Sequence, residues 1–308
     1  MEKKSTRQAY GEALAKLGKE KENVVVLEAD LSKSTMTAYF KKEFPKRHIN
    51  VGIAEADLIG TAAGFATTGK IPFASTFALF AAGRAYDQIR NSVAYPKLNV
   101  KICPTHAGVS LGEDGGSHQS VEDIALMRAI PGMVVLSPAD AVETEKMIFA
   151  TAEYEGPVYV RLGRLNVPVL FDDNYKFEIG KAVTLTEGND VAILATGLMV
   201  YEATEAAKQL AEQGIKARVV NVSTIKPLDE ETVLKAAKEC KFIVTSEEHS
   251  VIGGLGSAVS EFLSENHPTK VIKHGIQDVF GQSADGDTML NNYKLRAKDI
   301  VEVVLRNR

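Results

Sequence analysis

Two histidines and two acidic residues stand among glycines in the segment Thr105–Gln119. The segment follows an apolar run and precedes a helical pattern, which is where open α/β sheets build ligand sites. Glycines there lose much backbone entropy on folding and add nothing to a core. His106, Asp114 and His118 therefore indicate hydrogen bonding to a polyhydroxylated substrate. A metal site and a plain polar loop are the alternatives; because the histidines lack compact helical spacing, no metal site is expected.

An acidic residue and a group of aromatic residues mark two further clusters. Glu55, within Asn50–Asp57, begins a helical stretch rich in alanine and glycine. Such an acid could simply favour the helix dipole, or it could share a proton with a ligand nitrogen in an apolar site. Phe77 and Phe80, within Ser75–Gln88, could belong to the core or form a flat slot for a heteroaromatic ring. The residues alone leave both alternatives open.

The fourth cluster carries positive charge. Arg161 and Arg164 follow the last strand pattern of the first half of the chain, and Arg7 and Ser34 lie near the ends of other elements. Surface arginines are often only solvated. If these side chains converge on one pocket, they would suit a phosphate, because a guanidinium donates two parallel hydrogen bonds to an oxyanion.

Short apolar runs alternate with helical patterns along nearly the whole chain. The runs are rich in β-branched residues and predict buried strands at Val24–Leu27, Ile71–Ser75, Val100–Cys103, Met133–Leu136 and Val158–Arg161. Helical patterns lie between them at Thr6–Lys19, Glu55–Ala66, Ala81–Ala94, Val121–Ile130 and Glu143–Tyr154. This alternation predicts an α/β fold with a mostly parallel sheet and helices on both faces.

A polar stretch at Asn166–Gly180 interrupts the alternation and predicts a linker. The pattern then resumes at Asp190–Ala195, Tyr201–Gln213, Ala217–Val222, Glu230–Cys240, Phe242–Ser246, Gly256–Ser264 and Thr269–Lys273. We therefore predict two α/β domains, at residues 1–175 and 180–308, with the second smaller.

Charge and cysteine content restrict the partners and the compartment. The net charge is -4, from 36 basic and 40 acidic residues that are interspersed, which argues against a nucleic-acid or anionic-membrane surface. No run approaches the roughly 18 apolar residues of a membrane span. The charged start lacks the apolar core of a signal peptide, and Cys103 and Cys240 form no paired motif. We therefore expect a cytoplasmic protein.

The clusters occur together and in one order. With this ordered set, the chain resembles the C-terminal half of transketolases, and the resemblance covers essentially the whole chain. The resemblance is carried by Val51-Gly-Ile-Ala-Glu55, Ser75-Thr-Phe77, Arg84-Ala-Tyr-Asp-Gln-Ile-Arg90, Gly112-Glu-Asp-Gly115, Ser117-His-Gln119, Ile130-Pro131, Ser137-Pro-Ala-Asp140, Arg164-Leu-Asn-Val-Pro168 and Ile225-Lys-Pro-Leu-Asp229. It implies a thiamine-diphosphate-binding fold, with a pyrimidine-binding domain followed by a transketolase C-terminal domain.

The resemblance also implies a divided enzyme. Transketolases bind the diphosphate of the cofactor through a Gly-Asp-Gly segment followed by Asn-rich metal ligands, and here Asp285-Gly286-Asp287 stands near the end of the chain instead. We therefore expect an N-terminal transketolase subunit as partner, which supplies the diphosphate and Mg²⁺ site in an α2β2 assembly. The expected reaction transfers a two-carbon ketol unit from a ketose phosphate to an aldose phosphate, as in the pentose phosphate pathway.

The same resemblance implies which residues hold the cofactor. Glu55 would hydrogen-bond a ring nitrogen of the aminopyrimidine and activate it. Phe77 and Phe80 would pack on the pyrimidine ring, and Asp30 would approach the cofactor from the loop after the first apolar run.

It also implies which residues hold the substrates. His118 would contact the hydroxyls of the two-carbon unit, and Asp114 would bind a hydroxyl of the acceptor sugar. The residues expected around the terminal phosphate of the sugar are Arg7, Ser34, His106 and Arg164.

Three other interpretations remain. The beta subunit of a 2-oxo-acid dehydrogenase decarboxylase would share Glu55, but it needs no sugar-phosphate pocket, so His106 and Arg164 favour a transketolase. A deoxyxylulose-phosphate-synthase-like chain shares the Ala-Tyr-Asp-Gln stretch but is normally a single polypeptide. A regulatory subunit would keep the fold without turnover. Glu247–His249 resembles a family segment near the subunit interface and is expected to form a buried cap or a dimer contact.

Overall fold

The computed structural model describes residues 2–308. It has a seven-stranded sheet, a five-stranded sheet and a two-stranded ribbon, in which β1 (Lys3–Ser5) pairs antiparallel with β8 (Asn166–Pro168). The prediction that the linker begins at Asn166 was wrong. The first three residues of that stretch form a strand because their backbone groups pair with the start of the chain.

The strands of the larger sheet are, in chain order, β2 (Val24–Glu28), β3 (His48–Asn50), β4 (Ile71–Ser75), β5 (Lys101–Ile102), β6 (Val134–Leu136), β7 (Val158–Val160) and β12 (Thr224–Lys226). They lie in the order β12-β6-β7-β5-β4-β2-β3, and β12 pairs antiparallel with β6 while the other pairings are parallel. β12 thus covers an edge that β6 would otherwise expose. β12 comes from the second predicted domain, so strands of both predicted domains lie in this sheet. The division into residues 1–175 and 180–308 stays a prediction.

Helices cover both faces of the larger sheet. They are α1 (Thr6–Glu20), α2 (Ala38–Glu43), α3 (Glu55–Ala66), α4 (Tyr86–Gln88), α5 (Asp123–Ala129) and α6 (Ala141–Glu153). Alternate residues of β2 point to opposite faces: Val24 and Val26 belong to a core with α1 and α6, and Val25 and Leu27 to a core with α3 and α5. Burial on both faces explains why this strand is a continuous apolar run.

The helix predicted at Ala81–Ala94 is not a regular α-helix. Two π-helical stretches, Phe80–Arg84 and Ile89–Ala94, flank the single turn of α4. Short π-helical turns are wider than α-turns and are common at functional sites. The first of them carries Phe80, one of the predicted cofactor contacts.

The strands of the smaller sheet are β9 (Val183–Thr186), β10 (Val191–Ala195), β11 (Ala217–Asn221), β13 (Ile243–Ser250) and β14 (Val271–Ile276). Their order is β14-β13-β10-β11-β9, with β9 antiparallel to β11. The helices around them are α7 (Met199–Ala211), α8 (Glu230–Glu239), α9 (Leu255–Asn266), α10 (Gly286–Asn292) and α11 (Ala297–Asn307). The prediction of two α/β domains with mostly parallel sheets is confirmed. None of the helices within residues 2–308 has the length and apolar character of a membrane span.

Candidate functional site

Glu55 opens α3 shortly after the end of β3. It is 5% exposed, and Arg84 donates from Nη1 to its Oε1 at 3.2 Å. The Arg84 guanidinium also lies over the ring of Phe80, 4.0 Å from the centroid. The buried carboxyl group is therefore linked to an aromatic ring through an exposed cation.

Four rings form a group that we call the aromatic cluster: Phe77, Phe80, His106 and His118. Phe77 stacks on His106 with centroids 4.0 Å apart, and its centroid lies 5.9 Å from that of Phe80. The ring of His118 meets both phenyl rings at an angle, with centroids 6.3 Å from Phe77 and 5.2 Å from Phe80. The structure thus brings together residues from two separate sequence clusters.

His106 joins the aromatic cluster to Arg7. Its Nε2 lies 3.3 Å from Arg7 Nη1, and its Nδ1 lies 2.7 Å from the Thr105 hydroxyl. Burial, and then the positive charges of Arg7 and Arg164, lower the pKa of His106 to about 3. The ring is therefore neutral near pH 7. Because a guanidinium only donates, we assign Nε2 as the acceptor and place the proton on Nδ1.

A cavity of about 260 Å³ lies beside Arg7, and we call it the arginine cavity. Its lining residues are Arg7, Ser110, Leu111, Gly112, Glu113, Arg164, Leu165, Asn166 and Gly286. The exposed Glu113 accepts from Arg164 Nη2 at 3.4 Å. Arg164 Nη1 donates to the Leu111 carbonyl at 2.5 Å. Arg7 Nε and Ser110 Oγ are buried and make no hydrogen bond of acceptable geometry to any residue from 2 to 308. Unpaired buried donors beside two positive charges are features of an anion site.

The other predicted residues are Ser34, Asp30 and Asp114. Ser34 contributes its carbonyl, which accepts from Arg7 Nη1 at 2.8 Å. Asp30 follows β2, and its Oδ1 accepts from Asn50 Nδ2 at 2.8 Å. Asp114 is exposed, and no hydrogen bond among the described residues joins it to the aromatic cluster. Within the same residues, no group of three or more His, Cys, Asp or Glu is arranged to hold a metal ion.

Glu28 is a buried carboxyl group that the sequence patterns did not identify. It ends β2, and its Oε2 accepts from the hydroxyls of Thr35 and Thr37 at 2.6 and 2.7 Å. These bonds hold the loop that contains Ser34. The sequence feature that could have identified Glu28 is its position directly after a run of apolar residues, where a solvated acidic side chain is unusual.

Glu28→Gln is expected to change how stability depends on pH. Burial raises the pKa of Glu28 from its usual 4.5 to about 7, while the hydroxyls of Thr35 and Thr37 oppose the shift. The folded protein therefore holds this proton more tightly than the unfolded chain, so the free energy of unfolding falls as pH rises between those two values. In Glu28→Gln the free energy of unfolding does not fall in this way. As pH rises from 4.5 to about 7, the melting temperature of the variant should therefore increase relative to that of the parent by about 2 °C or more. A pH-independent difference would contradict the assignment.

Two family models match the chain. Residues 2–169 match the transketolase pyrimidine binding domain, and residues 180–300 match the transketolase C-terminal domain. The chain belongs to the transketolase family. Members of the family depend on thiamine diphosphate, and the matches confirm the resemblance that the sequence motifs carry.

Known relatives match the chain almost end to end. The "Putative transketolase C-terminal section" of Methanocaldococcus jannaschii is 53% identical over 305 residues, which cover 98% of this chain and 96% of the relative. The 6-deoxy-6-sulfo-D-fructose transketolase subunit of a Clostridium species is 44% identical over 295 residues, which cover 96% of this chain and 92% of the relative.

Solved transketolases share the fold. A protein described as a split gene transketolase, in an inactive β4 tetramer, superposes with a TM-score of 0.90 at 53% identity, and the match covers 98% of this chain and 97% of that one. The transketolase of Campylobacter jejuni gives a TM-score of 0.84 at 25% identity. That match covers 99% of this chain and 47% of the Campylobacter chain, so this chain corresponds to about half of that transketolase.

Proposed function

We propose that this chain is the C-terminal subunit of a thiamine-diphosphate-dependent transketolase. It would transfer a two-carbon ketol unit from a ketose phosphate to an aldose phosphate, while an N-terminal subunit supplies the diphosphate and Mg²⁺ site. The observation that carries the proposal is one continuous site, in which Phe77 stacks on His106 and His106 contacts Arg7. One end suits a heteroaromatic ring beside an acid, and the other end suits the anion of a sugar.

The Glu55 end fits the aminopyrimidine of the cofactor. Phe77 and Phe80 present nearly parallel ring faces, 21° apart, and Glu55 presents a buried carboxyl group that can share a proton with a ring nitrogen. When bound, thiamine diphosphate would supply the nucleophilic carbon for ketol transfer. Glu55 would hold the proton that activation requires, and the phenyl rings would exclude water. Asp30 would border this end from the loop after β2.

The arginine cavity fits the terminal phosphate of the sugar. Arg7 and Arg164 supply the charge, and the unpaired Arg7 Nε and Ser110 Oγ supply free donors. A sulfonate also presents several oxygen atoms to guanidinium groups, which suits the sulfo-sugar in the name of the Clostridium relative. The remaining substrate contacts that we propose come from Ser34, His106, Asp114 and His118.

Arg164→Gln is expected to raise the KM for ribose 5-phosphate roughly 10- to 100-fold in the assembled enzyme, because one of the two charged donors is lost. The kinetics with glycolaldehyde, an acceptor without a phosphate, should change little. Arg90→Gln is the control, since the Arg90 side chain is exposed and, among the described residues, donates only to the neighbouring Asn91 side chain. Equal losses with both acceptors would contradict the phosphate assignment.

The proposed assembly contains two copies of each chain, and it would act in the cytoplasm as part of the pentose phosphate pathway. The full-length match to the C-terminal section of the Methanocaldococcus protein supports a separate subunit. The inactive β4 tetramer of the solved relative is what we would expect of a subunit that lacks its partner.

Assays of the assembled enzyme distinguish the other interpretations. Turnover of pyruvate with lipoamide, without activity on sugar phosphates, would identify the beta subunit of a 2-oxo-acid dehydrogenase decarboxylase. Deoxyxylulose 5-phosphate formed from pyruvate and glyceraldehyde 3-phosphate would identify a deoxyxylulose-phosphate-synthase-like chain. Failure with all of these substrates would favour a regulatory subunit.

A further inference from the structure

The loop that carries the arginine cavity is held from the other half of the chain. Glu248, on β13, is 4% exposed, and its Oε1 accepts a hydrogen bond from the Ser110 backbone amide at 2.6 Å. At Gly108, where φ is 81°, a Cβ atom would overlap the Glu248 carboxyl group. The loop therefore reaches this carboxylate only because residue 108 is glycine.

The contacted residues are the ones that shape the arginine cavity. Ser110 lines the cavity together with Arg164, and the carbonyl of the next residue, Leu111, accepts from Arg164 Nη1 at 2.5 Å. Val109–Leu111 forms a single 3₁₀ turn, so the Ser110 amide and the Leu111 carbonyl move as one unit. A displacement of the amide would shift the carbonyl that holds Arg164.

Glu248 is fixed on its backbone side as well. Arg161 Nη2 donates to the Glu248 carbonyl at 2.9 Å, and Arg161 Nε donates to Asp123 Oδ2 at 2.9 Å. The Tyr159 hydroxyl donates to the same Asp123 oxygen at 2.9 Å. This buried network ties β13 to β7 and to α5, so the backbone from which the Glu248 side chain reaches Ser110 is held in place.

The neighbouring Glu247 stabilises a different part of the fold. It is equally buried, but its carboxylate accepts from the amides of Leu255 and Gly256 at 2.7 and 2.8 Å. It therefore caps α9, the kind of buried cap expected for this segment. Two adjacent buried carboxylates thus support different structures, one a helix end and the other the loop of the candidate site.

We propose that Glu248 is a positioning residue for the arginine cavity: it holds the Ser110–Leu111 turn and, through the Leu111 carbonyl, sets the place of Arg164. The inference rests on the proposed function, in which Arg164 binds the terminal phosphate of the acceptor. Glu248 itself touches no substrate. The second half of the chain, which supplies none of the proposed substrate-binding side chains, would thereby control selectivity for a phosphorylated sugar.

Two conservative variants of Glu248 test this role in the assembled enzyme. Glu248→Asp keeps the carboxyl group but shortens the side chain by one methylene, so the carboxyl oxygen no longer reaches the Ser110 amide. The KM for ribose 5-phosphate should rise roughly tenfold, while kcat and the kinetics with glycolaldehyde stay near the parent values. Glu248→Gln keeps the length and one acceptor oxygen, and it should restore the KM for ribose 5-phosphate nearly to that of the parent.

Glu247→Asp is the matched control, because it shortens an equally buried carboxylate one position away. It should lower the melting temperature while leaving the KM for both acceptors unchanged. Equal KM changes in Glu247→Asp and Glu248→Asp would indicate a general loss of stability and would overturn the positioning role.

Arg164→Gln separates the failure of this inference from the failure of the proposed function. In one outcome, Arg164→Gln raises the KM for ribose 5-phosphate without changing the kinetics with glycolaldehyde, while Glu248→Asp shows no such difference between the acceptors. In that case the positioning role of Glu248 is overturned and the phosphate assignment stands. If Arg164→Gln itself affects both acceptors equally, the phosphate assignment fails, and the role of Glu248 fails with it.

Discussion

Replacing Glu55 with Gln is expected to slow exchange of the C2 proton of bound thiamine diphosphate roughly 100- to 10,000-fold in the assembled enzyme. The amide matches the carboxyl group in size but cannot hold and release a proton at that position. Because Glu55 is 5% exposed, bulk water is poorly placed to take over this role. Deuterium exchange followed by NMR measures the effect directly and requires no sugar substrate.

Asp57→Asn is the matched control for Glu55→Gln. Asp57 lies in the same first turn of α3 but is exposed. Both substitutions remove one negative charge near the same helix end, so both weaken the interaction with the helix dipole by a similar small amount. If Glu55 only favoured that dipole, neither variant would change proton exchange. Parent-like exchange in Glu55→Gln would therefore remove Glu55 from its proposed role.

Much of the fold follows from apolar patterns because its central strands are buried on both faces. The runs at Val24–Leu27 and Ile71–Ser75 coincide within one residue with β2 and β4, and the predicted helix at Glu55–Ala66 has the bounds of α3. The short strands β3 and β12 escaped prediction, since three residues show no measurable period. β12 also pairs with β6 across the two halves of the chain, and a local pattern does not encode that pairing.

The candidate site could be predicted where its chemistry lies within one short segment. His106 and His118 stand in one glycine-rich loop, and both rings reach Phe77 in the structure. Contacts between distant segments could not be predicted, and the bond between Ser110 and Glu248 spans 138 positions. The exposure of Asp114 could not be predicted either. Its place in a polar motif did not reveal that its side chain is exposed.

The chain by itself is expected to show no ketol transfer from xylulose 5-phosphate to ribose 5-phosphate, and addition of the proposed N-terminal subunit is expected to start it. The reason lies at the Glu55 end of the site, which opens to the surface. Ile53, two residues before the buried Glu55, is 78% exposed, and the Arg84 side chain that contacts Glu55 is 55% exposed. Glu55 would hold the pyrimidine of the cofactor, and we propose that the partner binds at this exposed side and supplies the diphosphate site.

Ile53→Glu tests whether ketol transfer depends on association with the partner. It places a charge on the open side of the site while leaving the Glu55 carboxyl group in place, so the melting temperature of the isolated chain should stay the same. Desolvating that charge would weaken association, and activity should recover only at higher partner concentration. Leu305→Glu, at a position that is 43% exposed on α11, should leave activation unchanged. Sedimentation velocity and turnover measured on the same mixtures would relate activity to complex formation, and turnover by the isolated chain at the rate of the mixture would contradict the divided active site.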